Sequence, residues 1–130
     1  MAYLDASPTP FHAAANAAAR LVDEGDFEIV GEHDPFPRTP GRYAVLRDGA
    51  LVAWVQREED ARHTPWRIVG AHTDSPTFQV KPRPDFVKAG WQMVGVEPYG
   101  PPIYTSWLDR DLGLAGRVLV RDPAGRGGVR

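Results

Sequence analysis

Apolar residues recur at Phe11, Ala14, Ala15, Ala18, Leu21 and Val22, the spacing of one face of a helix. Thr9-Pro10 stands just before them and is a start signal, a capping hydroxyl followed by proline at the first helical position. Gly25 supplies a stop. The alanine content favours helix on its own and allows close packing against a neighbouring element.

After this segment the period changes. Arg42 to Arg47 reads as a strand, Asp48-Gly49 as a two-residue hairpin turn in which glycine accepts positive φ, and Ala50 to Val55 as the return strand. The charged run Arg57 to Arg62 has no apolar period and reads as a solvated loop. Arg67-Ile68-Val69-Gly70-Ala71-His72 is a short apolar run ending in small residues, which predicts a buried strand whose end opens into a site. Phe78 to Val80 reads as a short strand before a break at Pro82-Arg83-Pro84. Trp91 to Val96 and Arg117 to Val120 are further strand candidates, Gly100-Pro101-Pro102 is a turn, and Pro123 to Arg130 has a flexible composition. The predicted class is α/β, an N-terminal helix followed by a mixed β-sheet.

Composition narrows this picture in three ways. At 130 residues, 42% hydrophobic and 25% charged, the chain suits one modest globular domain and not a disordered segment. A formal net charge of -2 argues against a general nucleic-acid binder, which needs a basic face. With no cysteine, disulfides and thiolate ligands are excluded, so any metal site must use His, Asp and Glu. Met1-Ala2-Tyr3-Leu4-Asp5 lacks the basic and apolar regions of a signal peptide, and no apolar run reaches membrane-spanning length. The expected location is the cytoplasm, with neither membrane nor nucleic acid as partner. Proline, at 13 residues, runs at about twice its usual share and falls mostly after Asp34, which favours short strands and ordered turns there.

The residues with the most chemistry are His72-Thr73-Asp74. In an extended chain positions i and i+2 share a side, so the imidazole and the carboxylate can meet. A carboxylate beside a ligating imidazole fixes its tautomer and raises its basicity. Gly70 and Ala71 leave room for a close ligand, and Ser75-Pro76 stiffens the exit. The triplet also suits a core histidine bonded to a turn aspartate, and local pattern alone leaves both readings open. His12, early in the helix, suits a capping or surface role, and His33 and His63 lie in polar, turn-rich stretches where exposure is expected. Asp109-Arg110-Asp111 places two carboxylates around a guanidinium, a pattern that more often positions a turn through charge-assisted hydrogen bonds than binds metal. Gly125 to Gly128 precedes no helix and offers no phosphate cradle.

Four segments together resemble the aspartyl aminopeptidase family. Ser7-Pro8-Thr9-Pro10-Phe11-His12 is similar to the family's opening. Gly70-Ala71-His72-Thr73-Asp74-Ser75-Pro76 with Val80-Lys81-Pro82 is similar to its metal-site strand and following loop. Gly95-Val96-Glu97 with Tyr99-Gly100, and then Ser106-Trp107-Leu108-Asp109-Arg110-Asp111-Leu112-Gly113-Leu114-Ala115-Gly116-Arg117, resemble the run into its second domain. Order and spacing agree over about Ser7 to Val120.

The resemblance implies the first part of a di-zinc aminopeptidase catalytic domain over residues 1–108, with 109–130 entering a second, β-rich oligomerisation domain. It implies removal of N-terminal residues, preferentially Asp or Glu, from peptides with a free N-terminus. It implies two zinc ions per complete site, with His72 as ligand of one and Asp74 as the catalytic carboxylate orienting that imidazole. It also implies self-association into large homo-oligomers, often dodecamers. The family's bridging aspartate, general-base glutamate, other acidic ligands and final histidine lie further along a chain several times this length. The 130 residues therefore read as an N-terminal fragment expected to be inactive alone. The alternative is a non-catalytic assembly or binding module derived from the same fold.

Overall fold

A computed structural model describes residues 2–57 and 65–120, so His63 and the Gly125 to Gly128 run lie outside the described residues, as does most of the charged run after Arg57. The described residues fall into two units, one drawn from Met1–Thr73 and Ala115–Arg130, the other formed by Asp74–Leu114.

In the first unit a short helix α1, Ala2–Asp5, precedes the main helix α2, Pro10–Gly25. Thr9 caps α2 from an extended backbone (φ -137°, ψ 163°), and Pro10 takes the first helical position, where its missing N–H costs nothing. The Thr9 hydroxyl accepts from the His12 backbone N–H at 3.4 Å and lies 2.7 Å from His12 Nδ1, so His12 serves the cap as its position suggested. The stop is set one residue later than the glycine: Gly25 ends the helix, and Asp26 takes the left-handed conformation (φ 54°). The N–H groups of Asp26 and Phe27 both point at Leu21 O.

The buried side of α2 consists of Ala13, Ala14 and Ala18, with Ala17 and Leu21 half-buried; Ala15 and Val22 are exposed. The face is therefore rotated from the one expected. Alanines occupy every side of this helix, so alanine spacing alone could not fix which side meets the sheet.

That sheet has the order β1-β2-β3, with β1 Glu28–Ile29, β2 Gly41–Arg47 and β3 Ala50–Gln56. β1 runs parallel to β2, and β2 pairs antiparallel with β3 in full register from Gly41↔Gln56 to Arg47↔Ala50, so the sheet is mixed. Neighbouring residues Tyr43 and Ala44 are both buried although they point to opposite faces, so both sides of β2 are covered. On the Ala44 side lies α2: Arg42, which shares that side, donates through Nη1 to Gly25 O at 2.8 Å. On the other side Tyr43 meets its cross-strand partner Trp54 at 5.7 Å between ring centroids, and Phe36 stacks on Trp54 at 5.1 Å. Tyr43 donates its hydroxyl proton to Thr39 O at 3.2 Å. Gly41 makes room for that ring, since a Cβ there would come within 2.7 Å of it.

The hairpin turn at 48–49 forms as predicted, with a different division of labour. Asp48 carries the positive φ (49°), and Gly49 is needed for space, because a Cβ there would lie 2.9 Å from Pro10 Cβ. Arg117 braces this corner: its Nη1 donates to Asp48 Oδ1, and its guanidinium sits 4.2 Å from the Phe11 ring centre.

Two predicted strands are absent. Arg67 to His72 is irregular, and Ile68 and Val69 are 87% and 96% exposed. An apolar run becomes a buried strand only with a neighbour to complete its ladder. Here β3 and Pro65 to Val69 instead line an open apolar cleft of about 1000 Å³, together with Phe27 and Phe36. Arg117 to Val120 is likewise irregular and exposed, for the same reason: no described strand pairs with it.

The second unit is built on a long antiparallel ribbon, β4 Thr77–Lys88 and β5 Trp91–Tyr99. The expected break at Pro82-Arg83-Pro84 is a bulge. Pairing runs from Thr77↔Tyr99 to Val80↔Val96 and resumes at Asp85↔Val94, so residues 81–84 face Gly95 alone. A two-stranded ribbon leaves outer edges unpaired, where proline loses no ladder bond. Gly95 eases the bulge, since a Cβ there would lie a tight 3.3 Å from Pro84 O. Beyond the ribbon, Gly100 turns with φ 70°, and a short 3-10 helix, Tyr104–Trp107, sets Trp107 edge-on to Phe78 at 5.1 Å. Among the described residues no helix is long and apolar enough to cross a membrane.

Candidate functional site

His72, Thr73 and Asp74 lie in an irregular segment, with His72 and Thr73 exposed and Asp74 half-buried. The position of this segment comes from side chains, because no ladder holds it. Thr73 Oγ1 donates to Gly49 O at 2.7 Å, tying the residue after His72 to the β2–β3 turn. In the second unit Tyr99 donates its hydroxyl proton to Asp74 Oδ2 at 3.0 Å. That hydrogen bond first, and the carboxylate's charge second, raise the Tyr99 hydroxyl above its ordinary value of 10.0, so it stays protonated at neutral pH. Tyr99 also faces Thr77 across the ribbon.

An exposed imidazole can accept a metal ion, and imidazole is a ligand that suits zinc. His72 fits as one ligand. Among the described residues no group of three or more His, Cys, Asp or Glu could hold a metal ion, so this segment presents at most one corner of a site. The other candidates do not add to it. His12 is committed to the helix cap, and His33 is exposed. The expected pairing within Asp109-Arg110-Asp111 does not form. Arg110 Nη1 reaches Ser106 O at 3.4 Å instead, and Asp109 takes a left-handed turn (φ 54°).

Sequence reasoning gives no role to Thr73 or Tyr99. Thr73 is visible only as the middle of the His-X-Asp triplet. Tyr99 stands 25 residues from Asp74, and no local pattern joins them.

The chain is 59% identical over 126 residues to the probable M18 family aminopeptidase 2 of Streptomyces coelicolor, a match that covers 97% of this chain. It is 50% identical over 125 residues to the protein of the same description from Mycobacterium leprae, covering 96%. In both cases the chain spans about 29% of the curated relative's length. A chain in the cryo-EM structure of the Ape4 and Nbr1 complex superposes with a TM-score of 0.86 at 36% identity, over 99% of this chain and 25% of that one. The family model described as Aminopeptidase I zinc metalloprotease (M18) matches residues 3–128, and the chain belongs to that family.

Proposed function

We propose that the chain is the N-terminal portion of a zinc-dependent aminopeptidase that removes residues from the free N-terminus of peptides, with a preference for Asp and Glu. The observation that carries this reading is the family match over residues 3–128. On this reading His72 is a ligand of one of two zinc ions, and Asp74 accepts the imidazole's other N–H, fixing its tautomer and orientation. A catalytic zinc usually takes three protein ligands. The remaining ligands and the general base then belong to the part of the relatives' length that these 130 residues do not span. Bound zinc would supply Lewis acidity toward the first peptide carbonyl and lower the pKa of water. The residues of this chain contribute the holding of one ion and the orientation of its ligand. Residues 1–108 belong to the catalytic domain and 109–130 to the start of a second domain that assembles a large homo-oligomer, working in the cytoplasm.

The test is peptidase turnover. The protein extended to the relatives' length should cleave Asp- and Glu-nitroanilides faster than Leu-nitroanilide with zinc, and His72→Ala should abolish this. The 130-residue chain should show no turnover at any zinc concentration. Turnover by the short chain that vanishes in His72→Ala would overturn the partial-site reading. An extended protein that folds and binds zinc yet cleaves nothing would favour the non-catalytic binding module.

A further inference from the structure

We propose that the apolar cleft of the first unit receives a β-strand from the part of the protein that these 130 residues do not span. The strand adds to the outer edge of β3 and gives residues 65–69 the ladder they lack. Leu51 to Gln56 line one side of this cleft and Pro65 to Val69 the other. The inference rests on the chain being the N-terminal portion of a longer protein, and not on the activity of that protein.

β3 ends the sheet β1-β2-β3, so its outer row of N–H and C=O groups has no ladder partner among the described residues. Natural sheet edges are blunted by charged side chains, proline, a bulge or brevity. β3 has none of these. Its seven residues carry no charge and no proline, and they pair with β2 in unbroken register. Val52 and Val55, on opposite faces, are 63% and 52% exposed. β4 shows the contrast, with Pro82, Arg83 and Pro84 at a bulge. A long, regular and apolar edge has the chemistry of an interior strand.

Across the cleft, Ile68 and Val69 have strand composition, no ladder and nearly full exposure. Two apolar stretches with unused backbone groups thus line one space, and a single strand between them would serve both. The cleft also holds two unmet side-chain groups. Trp54 Nε1 and Gln56 Oε1 are buried without a hydrogen-bond partner among the described residues, and their side chains share a face of β3. One is a donor and the other an acceptor, and a peptide backbone answers both. Length is available for such a strand, since the chain spans about 29% of its curated relatives. A second copy fits less well, because its β3 brings along its own residues 65–69 across the same cleft, and two such edges obstruct each other.

The experiment is residue-resolved hydrogen exchange on the protein extended to the relatives' length. In an edge strand alternate amides point away from the ladder, whereas in an interior strand every amide is bonded. Leu51 to Gln56 should therefore be protected without alternation, and Ile68 and Val69 with them. Protection at every second residue of β3, or free exchange at Ile68 and Val69, overturns the proposal. Protection that is lost on dilution assigns the cleft to a second copy and overturns it too. The same continuous protection in the 130-residue chain would place the occupant within that chain, with the same consequence. Peptidase turnover is read separately. Continuous protection without turnover removes the activity and keeps the strand, and turnover with alternating protection removes the strand alone.

Discussion

Gly49 is where the helix, the hairpin and the candidate site meet, and its replacement by alanine tests how firmly they are coupled. Glycine-to-alanine changes at unstrained positions usually stabilise by about 0.4–1 kcal/mol, because the unfolded chain loses freedom. Gly49 meets the backbone condition, since its φ lies outside the left-handed region and the turn's positive φ belongs to Asp48. The sign therefore depends on space. The new Cβ would stand 2.9 Å from Pro10 Cβ and 3.4 Å from Pro10 C. The first distance is about 0.6 Å short of the shortest favourable carbon separation. Pro10 cannot yield by changing rotamer, because that Cβ is part of a ring fixed at the start of α2. Overpacking of this kind costs about 1–3 kcal/mol.

Subtracting the unfolded-state gain leaves a net destabilisation of about 0–2.6 kcal/mol, centred near 1, for Gly49→Ala. Urea unfolding reads this as a lower midpoint at unchanged slope. Gly113→Ala is the control, as a Cβ there meets nothing within 4 Å and its φ is also unstrained. It should be neutral or stabilising by up to about 1 kcal/mol. A Gly49→Ala protein more stable than wild type, as expected where a Cβ meets nothing, would refute the close approach of turn and helix start.

Three further outcomes follow from single contacts. Thr9→Ala removes the hydroxyl bonded to the His12 N–H and should cost about 1 kcal/mol in unfolding free energy, with Thr9→Ser close to wild type. Asp48 is held below its ordinary value of 3.8, first by the hydrogen bond from Arg117 and then by its charge. A carboxyl with a lowered folded pKa contributes stability above its unfolded value and loses it as pH falls through the folded one. Asp48→Asn should therefore flatten stability against pH below 3.8, a small effect that fades in high salt because the pair is exposed. Thr73→Val removes the bond to Gly49 O and should lower stability by about 0.5–1 kcal/mol, while Thr73→Ser retains it.

The elements that could be read from the sequence are those whose cause is local. Thr9-Pro10 starts α2 because cap and proline act on their own helix, and Asp48-Gly49 turns the hairpin because a two-residue loop fixes its own register. The readings that failed assumed a partner. Arg67 to His72 and Arg117 to Val120 have the composition of buried strands, but burial is a property of neighbours, and Ile68 and Val69 have almost none. The reverse holds at Pro82 and Pro84, which read as a break because proline cannot donate to a ladder. On a two-stranded ribbon a bulge against Gly95 absorbs both. At the candidate site the triplet His72-Thr73-Asp74 is legible as chemistry, whereas the contacts of Thr73 and Asp74 span 24 and 25 residues and leave no periodic trace.

Those two contacts change how the triplet is understood. A His-X-Asp pattern in a strand treats the middle residue as a spacer that keeps its neighbours on one side. Here the middle residue has a function of its own. His72 lies in a segment without ladder bonds, so its backbone must be located by something else, and Thr73 does this by seating its hydroxyl on the carbonyl of the hairpin turn. The turn in turn is held by Pro10 against Gly49 and by Arg117 on Asp48. Asp74 is held separately, by the phenol at the end of β5. A metal ligand must keep its geometry closely to be useful, and an exposed irregular segment is poorly suited to that alone. The substitution that best separates chemistry from scaffold is therefore not at His72, whose loss would remove the proposed ligand outright. It is at Thr73, where valine keeps shape and volume and removes only the bond that locates the imidazole's backbone.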